Sequence, residues 1–512
     1  MDNEPKTPKP PMGSPMLLLV SIFIVATCGL IYELVAGTAA SYLLGDSVTQ
    51  FSTIIGVYLF SMGIGSYVSK FFSKNLLAWF VQIEILVGLV GGFSSLVLFA
   101  LFAQVDYFQL VLYVLVSLTG ILVGLEIPLL MRILEGRYEF KDLVSKVFTF
   151  DYIGALLASI IFPIWLVPKL GLMRTSFFFG MLNIGVAYWV CYKFKNEIAW
   201  AKSLFSLATM SFIGLIIAFI NANNLVNWTE STLFQEKIIY TKSTPYQRIV
   251  LTANNNQYKL YLNGNLQFNS ADEYRYHEAL VHPAMQQASS KKQVLVLGGG
   301  DGLAVRELLK YPDIDSITLV DLDQGMTELF SHNSMLKSLN NNSLTNPKVT
   351  VKNMDAFLWL KANNKLYDVI IVDFPDPSNF SVGKLYSNVF YSYLINALQN
   401  YGVCVVQSTS PYVARKSFWC INHTMQSVGF KTIPYHNYVP SFGEWGYILA
   451  LKNKTFKAPQ NFDSSFKFIT KNVFEQMLVF PKDMDSVYTE VNKLNNQVLV
   501  HYFDEDWKHY QQ

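Results

Sequence analysis

Two patterns of apolar and polar positions divide this chain. Between residues 16 and 222 the apolar runs are long and continuous. Seven segments, near 16–40, 51–72, 77–103, 107–131, 148–168, 175–193 and 202–222, read as helices. Most reach the ~20 apolar residues that cross a bilayer. The first is too long for a cleaved signal peptide. Residues 1–15, with several Pro and Lys, read as a disordered N-terminus. Small residues in "GVYLFSMGIGSY" (Gly56 to Tyr67) suit close helix packing, and the Pro of "GLEIPLL" (Gly124 to Leu130) predicts a kink.

Beyond residue 222 the pattern changes. Residues 233–268 alternate as strands do, and Asn263-Gly264 is a hairpin turn signal. "SADEYRYHEALVHPAM" then reads as a helix capped by Asp272. From 293 the chain alternates between strands and helices. The strand candidates are 293–297, 316–320, 348–352, 368–372, 402–407 and 446–451. The expected organisation is a multi-pass α-helical domain over 16–222 and a small β-rich subdomain over 223–288. A Rossmann-like, doubly wound α/β domain over 289–455 and a helical extension over 456–512 follow.

Composition sharpens the membrane reading. Of 512 residues, 51% are hydrophobic and only 15% charged, where soluble domains carry about 25% charged residues. A net charge of +2 with no basic stripe argues against a nucleic-acid partner. Four scattered cysteines form neither a disulfide framework nor a zinc motif. Within the apolar segments, Glu33, Glu84, Glu126 and Asp151 either line a path for a polyamine or ion, or bond to neighbouring helices. Lys and Arg in the loops put the N-terminus in the cytoplasm. Seven spans would then place the C-terminal half outside, unless one segment is re-entrant or miscounted.

Open α/β sheets bind ligands at the carboxyl ends of their strands. Four stretches fall there: "GGGDG" (Gly298 to Gly302), "VDLD" (Val320 to Asp323), "NMDA" (Asn353 to Ala356) and "DFPDP" (Asp373 to Pro377). Asp321 lies about 20 residues past the glycines, where an acid accepts both ribose hydroxyls. Asp355 is placed for the exocyclic amine of an adenine. Asp301, inside the glycine loop, would repel a pyrophosphate or a carboxylate and attract an ammonium. The nucleoside that fits is decarboxylated S-adenosylmethionine, a co-substrate rather than a resident cofactor.

At this point the chain resembles the spermidine synthase family, the polyamine aminopropyltransferases. The matching stretches are "YLNGNLQFNSADEYRYHEALVHPAM" (Tyr261 to Met285), "VLVLGGGDG", "VDLD" and "DVIIVDFPDP". "CGLIYELVAGTAASYLLGDSVTQFS" (Cys28 to Ser52) and "VPSFGEWGYILA" (Val439 to Ala450) look like the membrane-fused branch of that family. The resemblance implies transfer of an aminopropyl group from decarboxylated S-adenosylmethionine to putrescine. It implies Asp373 as proton acceptor and a donor site with Gln247, Asp321, Asp355, Ala356, Gly298 and Gly300. His277, Asp301 and Asp376 would hold the amine, and Tyr386 would belong to a covering loop. Gln267 and Tyr276 fall within the motif. No metal is implied. Lipid bilayer and putrescine or a related amine are the expected partners, with a possible homo-oligomer and a cytoplasmic catalytic domain. Departures lie at Asn263, where the family has Asp, in "SNFS" (Ser378 to Ser381), and in "FGEWGY" (Phe442 to Tyr447) near the amine pocket. An S-adenosylmethionine methyltransferase and a polyamine transporter or sensor are the alternatives.

Overall fold

A computed structural model describes residues 15–44, 47–102, 104–105, 107–135, 138–234, 236–255 and 257–511. Residues 1–14, expected to be disordered, lie outside that set. The chain divides into two compact units, Met1–Ile238 and Ile239–Gln512.

The first unit is helical: α1 (Pro15–Leu44), α2 (Ser47–Val68), α3 (Leu76–Phe102), α4 (Phe108–Leu134), α5 (Phe140–Ile161), α6 (Val167–Lys193), α7 (Ala201–Ile220) and α8 (Ala222–Leu233). Residues 223–233, expected to begin the β-rich part, therefore close this unit as a helix. Among the described residues six helical stretches are long and apolar enough to cross a membrane. One of them, Phe140–Lys193, holds both the fifth and the sixth expected segments. It is broken at Gly171, whose φ of 72° and ψ of 175° are non-helical. Glycines set the closest packing. A Cβ on Gly65 would lie 2.0 Å from the Ile121 carbonyl oxygen, and one on Gly124 2.2 Å from that of Met62. α2 and α4 thus meet backbone to backbone, as small-residue faces allow. Pro128 lies within α4, which continues past it as one helix to Leu134.

The second unit opens with an antiparallel sheet of β1 (Lys237–Ser243), β2 (Arg248–Asn254), β3 (Gln257–Leu262) and β4 (Asn265–Asn269), in that order. Asn263 and Gly264 have φ of 50° and 81°, the left-handed pair that a two-residue hairpin requires. Helix α9 (Glu273–Gln287) follows. Asp272 sits at its N-cap position but does not cap it. Its carboxylate accepts from the Ser441 N–H and hydroxyl instead, at 2.7 and 2.8 Å.

The main sheet holds β5 (Gln293–Gly298), β6 (Ser316–Asp321), β7 (Val349–Asn353), β8 (Tyr367–Asp373), β9 (Leu398–Gln407), β10 (Lys431–Val439) and β11 (Gly443–Leu451), ordered β10-β11-β9-β8-β5-β6-β7. The first five are parallel, and β10 and β11 add an antiparallel edge. Val294–Leu297 and Val369–Val372 are completely buried, as unbroken apolar runs in a sheet covered on both faces should be. The sheet order reverses at β5, so its carboxyl end and that of β8 frame the crevice. Strand β10 was not expected. Its Pro434 argues against a central strand and is tolerated here at an edge. Residues 456–511 are mostly irregular, with helices at Lys471–Met477 and Val498–Gln511.

Candidate active site

The glycine loop is shaped by what it touches. Gly298 has φ 81°, and a Cβ there would sit 2.1 Å from the Asp373 carbonyl oxygen. Gly300 has no room either, because its Cβ would lie 2.8 Å from the Asp321 carboxyl. The Gly300 N–H donates to Asp321 Oδ2 at 3.0 Å, and the Asp323 N–H to Oδ1 at 2.8 Å. Asp321 thus ties β6 to the loop after β5. Burial pushes its carboxyl up to about 7, against the lowering effect of those N–H groups.

Asp373 ends β8 beside this loop. Tyr276, one turn into α9, donates its hydroxyl to Asp373 Oδ1 at 2.5 Å. Burial raises Asp373 to about 6; His277 and the Tyr276 bond pull it down, and Asp301 pushes it up. His277 is buried, and its Nδ1 meets both the backbone oxygen and the Oε2 of Glu273 at 2.8 Å. Burial works against its charge, but Glu273, Asp301 and Asp373 hold its pKa at about 9. A histidinium at neutral pH follows. Arg306 clamps Glu273 with two N–H···O bonds of 2.9 and 2.8 Å, a bidentate geometry that fixes orientation. Asp301 accepts from the Leu303 N–H at 2.9 Å, and burial raises its carboxyl.

Asp376 follows one turn beyond Asp373. Its Oδ1 is buried with no hydrogen-bond partner among the described residues. Burial pushes its carboxyl up to about 7, against the lowering effect of the neighbouring Gln407 and Thr409 side chains. Tyr386 is buried beside it and donates to the Pro375 oxygen at 3.0 Å. Gln407 donates to both the Tyr386 hydroxyl and the Phe374 carbonyl. Phe442, Trp445 and Tyr447 ring Tyr276, with centroids 5.6–6.4 Å away.

Two donor-side residues are engaged differently from a free nucleoside contact. Asp355 caps the helix that begins at Ala356, accepting from the Phe357 N–H at 2.7 Å. Its other oxygen pairs with Lys384 at 2.7 Å. Gln247 donates to Asp323 Oδ2 at 2.7 Å, next to Asp321. Gln267 lies on β4 and donates to the Asn265 oxygen at 3.4 Å; among the described residues no hydrogen bond joins it to this group. Sequence reasoning missed Glu273, Arg306, Gln407 and Lys384. The i,i+4 spacing of Glu273 and His277 was the available signal.

The arrangement is a crevice with a buried carboxylate of raised pKa, a second one with an unfilled acceptor, and a buried histidinium held by Glu273. It suits removal of a proton from an ammonium that the surrounding acids hold.

Residues 273–463 match the spermine/spermidine synthase domain model. The chain is 52% identical over 490 residues to a polyamine aminopropyltransferase of Leptospira interrogans, covering 96% of this chain and 98% of that one. It is 50% identical over 509 residues to polyamine aminopropyltransferase 1 of Ralstonia nicotianae, covering 98% and 97%. A crystal structure of spermidine synthase with the transition-state analogue AdoDATO aligns over 48% of this chain and 88% of its own. Its identity is 25% and its TM-score 0.45.

Proposed function

We propose, for a chain that belongs to the spermine/spermidine synthase family of polyamine aminopropyltransferases, that it transfers an aminopropyl group from decarboxylated S-adenosylmethionine to putrescine. The observation that carries this reading is the group at the end of β8, where Asp373 is raised to about 6 within reach of His277, Asp301 and Tyr276.

The amine nitrogen attacks the aminopropyl carbon bonded to the sulfonium. The carbon–sulfur bond breaks, its electron pair stays on sulfur, and neutral methylthioadenosine leaves. No acid is needed for that departure. The obstacle is the acceptor: an alkylamine with pKa ~10 is almost wholly protonated at neutral pH. Asp373 takes the proton, a contribution of typically ~10²–10⁴-fold. A carboxylate held near 6 is mostly ionised at pH 7 and more basic than an ordinary one. Asp376, with its unfilled oxygen, and Asp301 hold the ammonium groups in line for attack. Asp321, Gln247 and Asp355 serve the nucleoside, whose exocyclic amine displaces Lys384 from Asp355. Gly298 and Gly300 let the backbone approach it. Tyr386 stiffens the loop after β8.

The apolar helices set the chain in a membrane as a multi-pass protein, with the catalytic unit on the cytoplasmic side, where the donor is made. The test of the acceptor is product identification by mass after incubation with putrescine, cadaverine or spermidine. Preferred formation of spermidine from putrescine supports the reading. A stronger preference for another amine overturns the acceptor, and no transfer to any amine overturns the reaction.

A further inference from the structure

The loop after β8 carries three side chains of the candidate site: Asp376, Lys384 on the Asp355 carboxylate, and Tyr386 on the Pro375 oxygen. Its own regular structure is one helical turn, Phe380–Gly383, and one tighter turn, Lys384–Tyr386. Single turns are not stable by themselves, so the loop depends on what packs against it. The segment that follows the sheet supplies this. It first lies along the helix Arg415–Ser427. Arg415 Nε donates to the Asp485 oxygen at 2.7 Å, Trp419 Nε1 donates to the Met484 oxygen at 3.0 Å, and His423 Nδ1 lies 2.8 Å from Thr489 Oγ1. Phe418 and Ile421 of that helix are completely buried in the core under the sheet, so the segment starts from a rigid base.

At Asn492 the segment turns onto the loop. Asn492 is 0% exposed. Its N–H donates to Thr424 Oγ1 on the helix at 2.9 Å. Its backbone oxygen accepts from the Asn388 N–H at 2.9 Å, and its Nδ2 donates to the Gly383 oxygen at 3.1 Å. Gly383 and Asn388 bracket Lys384 and Tyr386. Gly383 also lies so close to the last helix that a Cβ on it would sit 2.6 Å from Val500 Cγ2. Covering apolar surface alone would need no such bonds. A backbone oxygen held by a buried amide fixes the path of the loop as well as its burial. That matters here, because Lys384 has to leave Asp355 for the donor while Tyr386 stays on Pro375. Both are met when the backbone between them is held from outside the crevice.

We propose that residues 482–500 form a strap that sets the path of the loop after β8, with Asn492 as its positioning residue through the bond to the Gly383 oxygen. Asn492 touches no substrate and acts through the residues beside Gly383. Its part in turnover rests on the function proposed above; its hold on the loop does not.

The test compares Asn492→Ala with the original full chain by two readouts: steady-state kinetics with decarboxylated S-adenosylmethionine and putrescine, and amide hydrogen exchange over residues 378–388. Both KM values should rise about three- to tenfold, the effect of losing one net hydrogen bond when only the held loop binds substrate. The kcat should stay within about twofold. Exchange should quicken in 378–388 and stay unchanged in β5 and β8. A general loss of structure would instead lower kcat through loss of active protein, leave KM alone and loosen the strands too. Unchanged KM values, or unchanged exchange in the loop, overturn the proposal. Val500→Ala trims only the contact on Gly383; it should give a smaller change of the same kind, and it replaces Asn492→Ala if that variant does not fold. Quickened loop exchange in a protein that never turns over would leave the strap standing and reject the catalytic reading.

Discussion

His277 carries a charge that Glu273 makes possible, and Arg306 helps to hold Glu273 ionised. Because the folded His277 titrates near 9 rather than 6.5, the stability it contributes is fully present below about 6.5 and lost as pH rises through 9. Glu273 is the opposite case, lowered to about 2 by its partners. Its contribution is present above 4.5 and lost as pH falls through 2. Glu273→Gln leaves a buried guanidinium and imidazole without their anion, which costs about 3–5 kcal/mol. Chemical unfolding across pH checks this: the variant should be less stable at pH 6 and should lose the alkaline fall near 9. The Asp373 carboxyl at about 6 predicts an acid limb in kcat/KM near that value. Tyr276→Phe removes a bond that favours the ionised form, so the limb should move to higher pH; an unmoved limb contradicts the role given to Asp373. These residues were partly legible. Asp301, Asp321, Asp373 and Asp376 stand in glycine- and proline-marked turns after apolar runs. Arg306 and Gln407 were not, because nothing in a helix or strand interior marks a side chain that acts through a neighbour.

The loops at the strand ends do more than connect. Gly298→Ala would force a Cβ into the Asp373 backbone at a left-handed φ. Strain of ~1–3 kcal/mol then falls on the residue that must meet the amine. Turnover should drop at least tenfold, and thermal unfolding should shift down. Near-normal turnover would show that the loop is not held by this contact. Lys384 sits in the segment after β8 and neutralises Asp355. If the donor's adenine must replace it, Lys384→Met should lower the donor's KM several-fold; a higher KM would make Lys384 a donor contact. The strands themselves were readable because continuous apolar runs between turn residues are what a doubly covered parallel sheet requires. Strand β10 escaped because of Pro434. The Asp272 cap was misread because a better pair of donors, on Ser441, comes from far along the chain. Asp355 shows the same limit. Its position after β7 was legible, but its pairing with Lys384 depends on a loop whose path the sequence does not mark.

At the scale of the chain, a switch of hydrophobic period separates the helical unit from the α/β unit. Only the exact junction was hidden, since α8 is polar enough to look like the start of the soluble part. The fifth and sixth apolar segments share one helical run broken at Gly171, a bend that a lone glycine does not announce. The central claim is that the α/β unit removes a proton from a bound amine through Asp373 as the aminopropyl group is transferred. The most direct measurement is methylthioadenosine release by the purified full chain with decarboxylated S-adenosylmethionine and putrescine, beside Asp373→Asn under the same conditions. The account predicts steady turnover in the original protein and a loss of about 10²–10⁴-fold in the variant, with donor binding retained. Equal turnover by the two proteins would contradict it.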